Sequence, residues 1–265
     1  MRLNGARASA CMRPIRAWLS IRHPNLYAYW RTRLDPSIFA GLPLTMVVVS
    51  ALYIGALLSG LTEEVVEAGG VLRLDQAINA AFAPWRESPF VAVFLWITIL
   101  GTGSALTGVV LTATGFLWAA HRSHVIVPLW VTFLGAQATT WAGKFAVARH
   151  RPEFIDAVQA TSPSFPSAHA TGAMAVYGFV AYAIARDLPR RDQRVMIGLC
   201  GGGIIATIGF SRIFLSVHYT TDVAAGFLVG GFWLLAGFAL SEHKKQSLVQ
   251  TRSPATDASS SQRET

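Results

Sequence analysis

Charged side chains are scarce in this sequence: 14% of its 265 residues are Asp, Glu, Lys or Arg, whereas 52% are hydrophobic. So few charges do not cover a water-soluble protein of this size, and we expect the lipid bilayer to be the solvent. Cysteine is also rare. Cys11 lies in a basic segment and Cys200 in an apolar one, which argues against a disulfide framework or a metal-binding cysteine spacing. Residues 1–37 contain no apolar run of signal-peptide length, so we expect no cleavable leader.

Six apolar segments are long enough to cross a bilayer as helices, because about 20 residues at about 1.5 Å each span about 30 Å of hydrocarbon. The sequence therefore predicts an all-α, polytopic membrane helix bundle with six transmembrane helices. Gly101 and Gly103 lie inside the second and longest segment, where they predict a kink or a re-entrant break. The six segments are residues 38–61, 90–120, 125–147, 168–185, 195–215 and 220–240.

The net charge of +8 is distributed unevenly around these segments. Most of the 22 lysines and arginines precede the first segment, follow the second or the fourth, or follow the sixth. This pattern indicates orientation in a membrane rather than nucleic-acid binding, and the positive-inside rule places both termini in the cytoplasm. We predict a basic, amphipathic N-terminal segment at residues 1–37, a membrane domain at 38–243 and a disordered cytoplasmic tail at 244–265.

A short helix is predicted between the first two segments. Apolar residues recur there at helical spacing beside polar ones, which is typical of an amphipathic helix at a membrane interface. Interfacial packing is the favoured role, and gating of substrate entry is the alternative. The apolar positions are Leu74, Ile78, Ala81 and Phe82, and the polar positions are Asp75, Gln76 and Asn79.

Basic residues cluster at the outer ends of the third, fifth and sixth segments. Lysine and arginine near hydrocarbon are costly unless they reach the interface or an anion. The carboxylates nearby, Glu153, Asp156 and Asp222, neutralise only part of this charge, which favours an anionic ligand over a closed salt-bridge network. The cluster comprises Lys144, Arg149, Arg151 and Arg212.

Lys144 and Arg151 are two helical turns apart and share one face, so their ammonium and guanidinium groups can approach one ligand. The alternative is a positive helix end that reaches out to lipid phosphates.

Ser167 directly precedes the fourth apolar segment, as a helix N-cap does. The free N–H groups of Ala168 and His169 would then form an anion site with the helix dipole, and His169 could give a proton to a leaving oxygen. The alternative is an ordinary capped helix with an interfacial histidine.

His218 and Asp222 are four residues, or one helical turn, apart where the loop after the fifth segment meets the sixth. A carboxylate at this spacing can hold one imidazole nitrogen protonated and direct the other outward as a nucleophile. A contact that merely stabilises the helix is the alternative. The functional interpretation is favoured because all three pieces fall on one side of the membrane.

Together these pieces resemble the three-part signature of the type 2 phosphatidic acid phosphatase family, also called lipid phosphate phosphatases. That family looks related to vanadium haloperoxidases and glucose-6-phosphatase. Ala168 stands where the family usually has glycine; because the site would use its amide, which alanine keeps, activity should survive with less space for the substrate. The matching residues are Lys144, Arg151 and Pro152, then Pro166, Ser167 and His169, then Ser211, Arg212, His218 and Asp222.

The resemblance implies a role for each residue. His218 would attack phosphorus to give a phosphohistidine, Asp222 would hold His218, and His169 would protonate the leaving group before water releases inorganic phosphate. The family needs no divalent metal, so no cofactor is expected. Arg149 and His150 fall outside the motifs and would provide electrostatic support or surface. The implied phosphate-binding residues are Lys144, Arg151, Ser167, Ala168 and Arg212.

The implied activity is hydrolysis of a lipid phosphate at the extracytoplasmic side of an inner membrane. The motifs do not choose among undecaprenyl diphosphate, phosphatidylglycerophosphate, phosphatidic acid and a lipid A phosphate, and the oligomeric state stays open. A lipid-to-lipid phosphotransferase would use the same residues. An anion or lipid transporter would also need a cationic pocket, although His218 and Asp222 would have little purpose in it.

Overall fold

A computed structural model describes residues 21–35, 40–67, 69–152 and 161–261, with side chains described up to residue 246. The chain divides into two compact units, Met1–Val49 and Ser50–Thr265. Helix is the only regular secondary structure in the described ranges, as predicted. The helices are α1 Pro24–Arg33, α2 Leu42–Val66, α3 Gly70–Phe82, α4 Phe90–Ile99, α5 Gly103–Ala119, α6 Ser123–Val147, α7 Ala168–Ala185, α8 Arg191–Phe214 and α9 Thr220–Ser261, with a 3₁₀ helix at Ala83–Glu87.

Five helices are long and apolar enough to cross a membrane: α2, α6, α7, α8 and the first part of α9. The sixth span is formed by α4 and α5 if this pair, bent by 47°, is counted as one crossing. The break lies at Leu100–Thr102, where Gly101 and Gly103 predict it, and Thr102 begins α5 by accepting a hydrogen bond from Ala105 N through its side chain. The predicted all-α membrane bundle of up to six spans is confirmed.

Helix α7 is the centre of the larger unit and packs against α5, α6, α8 and α9. Between membrane helices, close packing contributes most of the attraction, because lipid tails are as apolar as the side chains. Gly226 on α9 shows how close the backbones come, since a Cβ atom there would lie 2.7 Å from Ser167 O. The central core cluster is Leu106, Val110, Val125, Leu129, Phe133, Val176 and Phe179.

The predicted short helix between the first two spans is α3, but one of its polar residues behaves differently from the prediction. Asp75 is 1% exposed and forms an ion pair with Arg149 instead of facing the interface with Gln76. Helical spacing does not show which polar residues of an amphipathic helix are covered by another part of the chain, so it does not predict the contact of Asp75 with Arg149.

Helices α9 and α1 lie near the two ends of the chain. Helix α9 has the bounds Thr220–Ser261, whereas the predicted domain boundaries and the predicted disorder of residues 244–265 stay predictions. At the other end, α1 exposes Leu26, Tyr29 and Trp30, whereas Trp18 lies outside the described residues. The basic, amphipathic segment predicted at residues 1–37 stays a prediction.

Candidate active site

The three predicted motifs meet at one end of the helix bundle. Helix α6 ends at Val147, and Ala148 then takes a left-handed conformation with a φ of 49°, which closes the helix and turns the chain. Ser164 N donates to Arg149 O at 2.8 Å, and Ser167 N donates to Asp222 O at 3.0 Å. These backbone bonds join the end of α6, the segment before α7 and the start of α9.

Lys144, Arg151 and Arg212 provide the positive charge of the site. Lys144 is 2% exposed and donates to Pro163 O. Arg151 donates to Ser162 O and to Val217 O, both at 2.8 Å, and Arg212 donates to Thr98 Oγ1 at 2.6 Å. Carbonyl and hydroxyl oxygens orient these cations without cancelling their charge. Among the residues that the structure describes, no carboxylate forms an ion pair with any of these three cations. Glu153 and Asp156 lie outside the described residues.

His218 is 3% exposed and lies between the cations and Asp222. Its Nε2 is 3.2 Å from Arg151 Nη1, while its Nδ1 is 3.5 Å from Asp222 Oδ2. Burial lowers the pKa of His218 to about 3, and the charges of Arg212 and Arg151 act in the same direction against that of Asp222. The imidazole is therefore neutral near neutral pH, and the ring nitrogen that faces the cations keeps its lone pair.

Ser164 is part of this arrangement, although sequence reasoning gave it no role. Its hydroxyl is buried, donates to Asp222 Oδ2 and lies 3.4 Å from His218 Nδ1. Asp222 Oδ2 also accepts the N–H of Tyr219 at 2.8 Å, as in a capping box. The carboxylate is thus held by several donors, and its contact with His218 is the longest of them.

Ser167, Ala168 and His169 form the start of α7 facing these groups. Ser167 is the N-cap, as predicted, but its hydroxyl makes no capping bond. Ser167 Oγ and Arg212 Nε are both buried without a hydrogen-bond partner among the described residues. His169 is half-buried and within electrostatic range of four site residues, namely Lys144, Arg151, Arg212 and His218.

Arg149 has a more specific place than the support or surface role predicted for it. It donates to Asp222 Oδ1 at 2.6 Å, to Thr221 Oγ1 at 2.8 Å and to Asp75 Oδ2 at 2.9 Å. Its guanidinium also lies 4.4 Å from the centre of the Tyr219 ring. No local motif indicates these contacts, because Asp75 comes from a helix far away in the sequence. His150, its neighbour, is exposed as predicted.

Comparison with known proteins identifies the family. The chain is 30% identical over 176 residues to phosphatidylglycerophosphatase B of Bacillus subtilis, covering 65% of this chain and 87% of that protein. The PAP2 superfamily model matches residues 125–246. The chain belongs to the PAP2 superfamily. Mouse glucose-6-phosphatase 3 is 26% identical over 167 residues, or 54% of this chain and 47% of that protein.

A solved PAP2 structure has the same fold. The crystal structure of a transmembrane PAP2-type phosphatidylglycerolphosphate phosphatase from Bacillus subtilis matches with a TM-score of 0.67 and 27% identity, over 74% of this chain and 96% of that one. The predicted family, the helical membrane fold and the phosphatase class are therefore confirmed. The PAP2 match includes every predicted site residue from Lys144 to Asp222, but Asp75, Thr98 and Gly101 precede it.

Proposed function

We propose that this protein is a membrane lipid phosphatase that hydrolyses the phosphomonoester of phosphatidylglycerophosphate through a phosphohistidine at His218, without a metal ion. The PAP2 family and the phosphatase names of its relatives make it a hydrolase of phosphate esters. The choice of substrate rests on the relative named phosphatidylglycerophosphatase B and on the similar solved structure of a phosphatidylglycerolphosphate phosphatase. Undecaprenyl diphosphate, phosphatidic acid and a lipid A phosphate are the substrates to compare with it.

The observation that carries the proposal is a buried group of cations and donors that suits a tetrahedral anion. Ser167 Oγ and Arg212 Nε lack hydrogen-bond partners among the described residues, although an unsatisfied buried donor costs about 1–3 kcal/mol. Lys144 and Arg151 bring positive charge to the same place, together with the amide of Ala168 at the start of α7. A phosphoryl group would satisfy these donors, and they would stabilise the charge of its pentavalent state.

The chemistry follows from the two imidazoles. His218 Nε2 attacks phosphorus, so that an N–P bond forms while the ester P–O bond breaks, and Asp222 stabilises the positive charge that develops on the ring. His169 gives its proton to the leaving alkoxide. In the second step, hydrolysis of the phosphohistidine, His169 takes a proton from water and the resulting hydroxide attacks phosphorus. The N–P bond then breaks and inorganic phosphate leaves.

The protein is integral to the membrane, and we place its site on the extracytoplasmic face of an inner membrane. Helix α6 begins beside Arg122 and ends beside the site, so the two lie at opposite ends of one span. Arg186, Arg190, Arg191 and Arg194 lie at or beyond the far end of α7, also away from the site. The positive-inside rule assigns such basic ends to the cytoplasm.

The test is phosphate release from phosphatidylglycerophosphate by purified protein in detergent, with the other three lipids assayed in parallel. The wild type should be active in excess EDTA, and His218→Ala should lose at least about 1,000-fold in kcat while staying folded. His150→Ala is the matched control, since it removes an exposed imidazole close to the site and should keep activity. Full activity of folded His218→Ala would rule out the mechanism. Phosphate transfer to a second lipid, instead of water, would indicate a phosphotransferase, and binding without any release would indicate a transporter.

A further inference from the structure

Asp75 makes an unusual set of contacts for a residue outside the family match. It lies on α3, is 1% exposed, and its Oδ1 accepts the N–H of Thr221 at 3.1 Å near the start of α9. Its Oδ2 accepts from Arg149 at 2.9 Å and also from the Thr221 hydroxyl. A buried carboxylate needs such partners to offset its lost hydration, and all of these partners adjoin Asp222.

Arg149 connects the two carboxylates. One arm of its guanidinium reaches Asp75, while the other reaches Asp222 Oδ1 at 2.6 Å. The charges of Asp222 and Asp75 and their hydrogen bonds outweigh burial and raise the pKa of Arg149. Because both arms are occupied, Arg149 differs from Arg151 and Arg212, whose charges have no carboxylate partner in the described ranges.

We propose that Asp75 and Arg149 are positioning residues for the transfer of the phosphoryl group to His218, an inference that rests on the proposed function. Asp75 fixes the guanidinium of Arg149, and Arg149 then occupies Asp222 Oδ1. Asp222 Oδ2 is thereby kept for His218 and Ser164. Asp75 on α3 thus affects the orientation of His218 through Arg149 and then Asp222, without contacting the phosphate.

The expected kinetic effect follows from these contacts. Neither Asp75 nor Arg149 is bonded to the phosphate-binding donors Lys144, Arg151, Ser167 and Arg212, so substrate binding should change little when they are altered. Orientation of His218 should change, and misplacing a reacting group by about 1 Å can cost about 100-fold in rate. The loss should therefore fall on kcat and leave KM nearly unchanged.

Asp75→Asn is the first test, because asparagine keeps the size and one acceptor but removes the charge that holds Arg149. We expect kcat for phosphatidylglycerophosphate to fall about 10- to 100-fold with KM within about 3-fold of the wild type. Arg149→Lys is the second variant, since it keeps the charge but cannot bridge two carboxylates. It should show the same separation of kcat from KM, and it keeps the test decisive if Asp75→Asn does not fold.

Asn79→Ala is the matched control. Asn79 lies one turn further along α3, where it accepts from Ser216 at 2.8 Å and from Arg86 at 2.6 Å. It therefore ties α3 to the same loop without touching Asp222. Its replacement should lower thermal stability yet keep kcat within about 3-fold of the wild type. An equal loss of kcat in Asn79→Ala would show that α3 acts only as a structural support and would overturn the inference.

A double variant tests whether Asp75 acts through Asp222. If it does, Asp75→Asn combined with Asp222→Asn should be no slower than Asp222→Asn alone, because the same orientation is already lost. Losses that multiply would contradict the inference. Wild-type kcat in folded Asp75→Asn and Arg149→Lys would also contradict the inference. If His218→Ala is inactive in the same assay, the proposed function would still stand.

Discussion

Gly101 lies so close to His169 that a Cβ atom at position 101 would be 2.9 Å from His169 Cδ2 and 2.7 Å from Ile208 Cγ2. The backbone at the break between α4 and α5 therefore packs closely against the imidazole of His169, one of the two histidines of the site. Thr98, in the last turn of α4 before this break, accepts the hydrogen bond of Arg212. The bent pair thus contacts both His169 and Arg212, so we expect its shape to matter for chemistry as well as for crossing the membrane.

Gly101→Ala should impair catalysis by displacing His169. Contacts below 3.0 Å force the neighbours to move, and overpacking of this kind costs about 1–3 kcal/mol. We expect kcat to fall about 10-fold or more, because His169, the proposed proton donor, is moved from its position, and we expect a lower melting temperature. The measurement is phosphate release from phosphatidylglycerophosphate at saturating substrate.

Gly103→Ala is the control for this substitution. A Cβ atom there would meet nothing within 4 Å, although the residue belongs to the same glycine pair. Its activity should equal that of the wild type, and its stability should be equal or slightly higher, since alanine favours helix. Equal losses in the two variants would mean that flexibility of the break, not the contact with His169, sets the rate.

Ser164→Ala should weaken the support of Asp222. The variant removes the hydroxyl that donates to Asp222 Oδ2 and leaves the carboxylate with Arg149, Tyr219 N and His218. Hydrogen bonds to charged groups contribute about 1.5–3 kcal/mol, so the melting temperature should fall. We expect kcat to drop about 10-fold with little change in KM, as measured by phosphate release.

Thr140→Val provides the comparison for Ser164→Ala. Thr140 is also buried, but its hydroxyl donates only to Ala136 O within α6. Loss of this hydroxyl should leave kcat unchanged. If Ser164→Ala keeps wild-type kcat as well, the serine merely fills space beside the carboxylate.

Local patterns explain why so much of the site could be predicted. Lys144 and Arg151 are seven positions apart, Ser167 precedes a helix, and His218 and Asp222 are four positions apart, so each motif is visible within a few residues. The predicted shared helix face of Lys144 and Arg151 is wrong, because α6 ends at Val147 and Arg151 lies beyond it. Their convergence could be inferred because all of them lie at the same ends of predicted spans. The break in the second span was predicted in the same way, from Gly101 and Gly103.

Residues that hold the site from a distance could not be found in this way. Asp75 is 74 positions from Arg149, and Thr98 is 114 positions from Arg212. Such contacts depend on how helices pack, which hydrophobic periodicity does not specify. Helical spacing therefore places Asp75 on the polar face of an amphipathic helix, and no local pattern predicts its contact with Arg149.

The buried state of His218 predicts that stability falls on acidification. The folded protein holds the pKa of His218 at about 3, whereas an unfolded histidine titrates near about 6.5. Between these values the unfolded chain binds a proton that the folded protein does not, so the free energy of unfolding decreases as the pH falls. One such group removes about 2 kcal/mol between about pH 7 and about pH 5. His218→Gln cannot take up this proton, and all other histidines remain. The melting temperature of the wild type in detergent should therefore fall more steeply over this range than that of His218→Gln, and parallel curves for the two proteins would show that His218 is not buried in its neutral form.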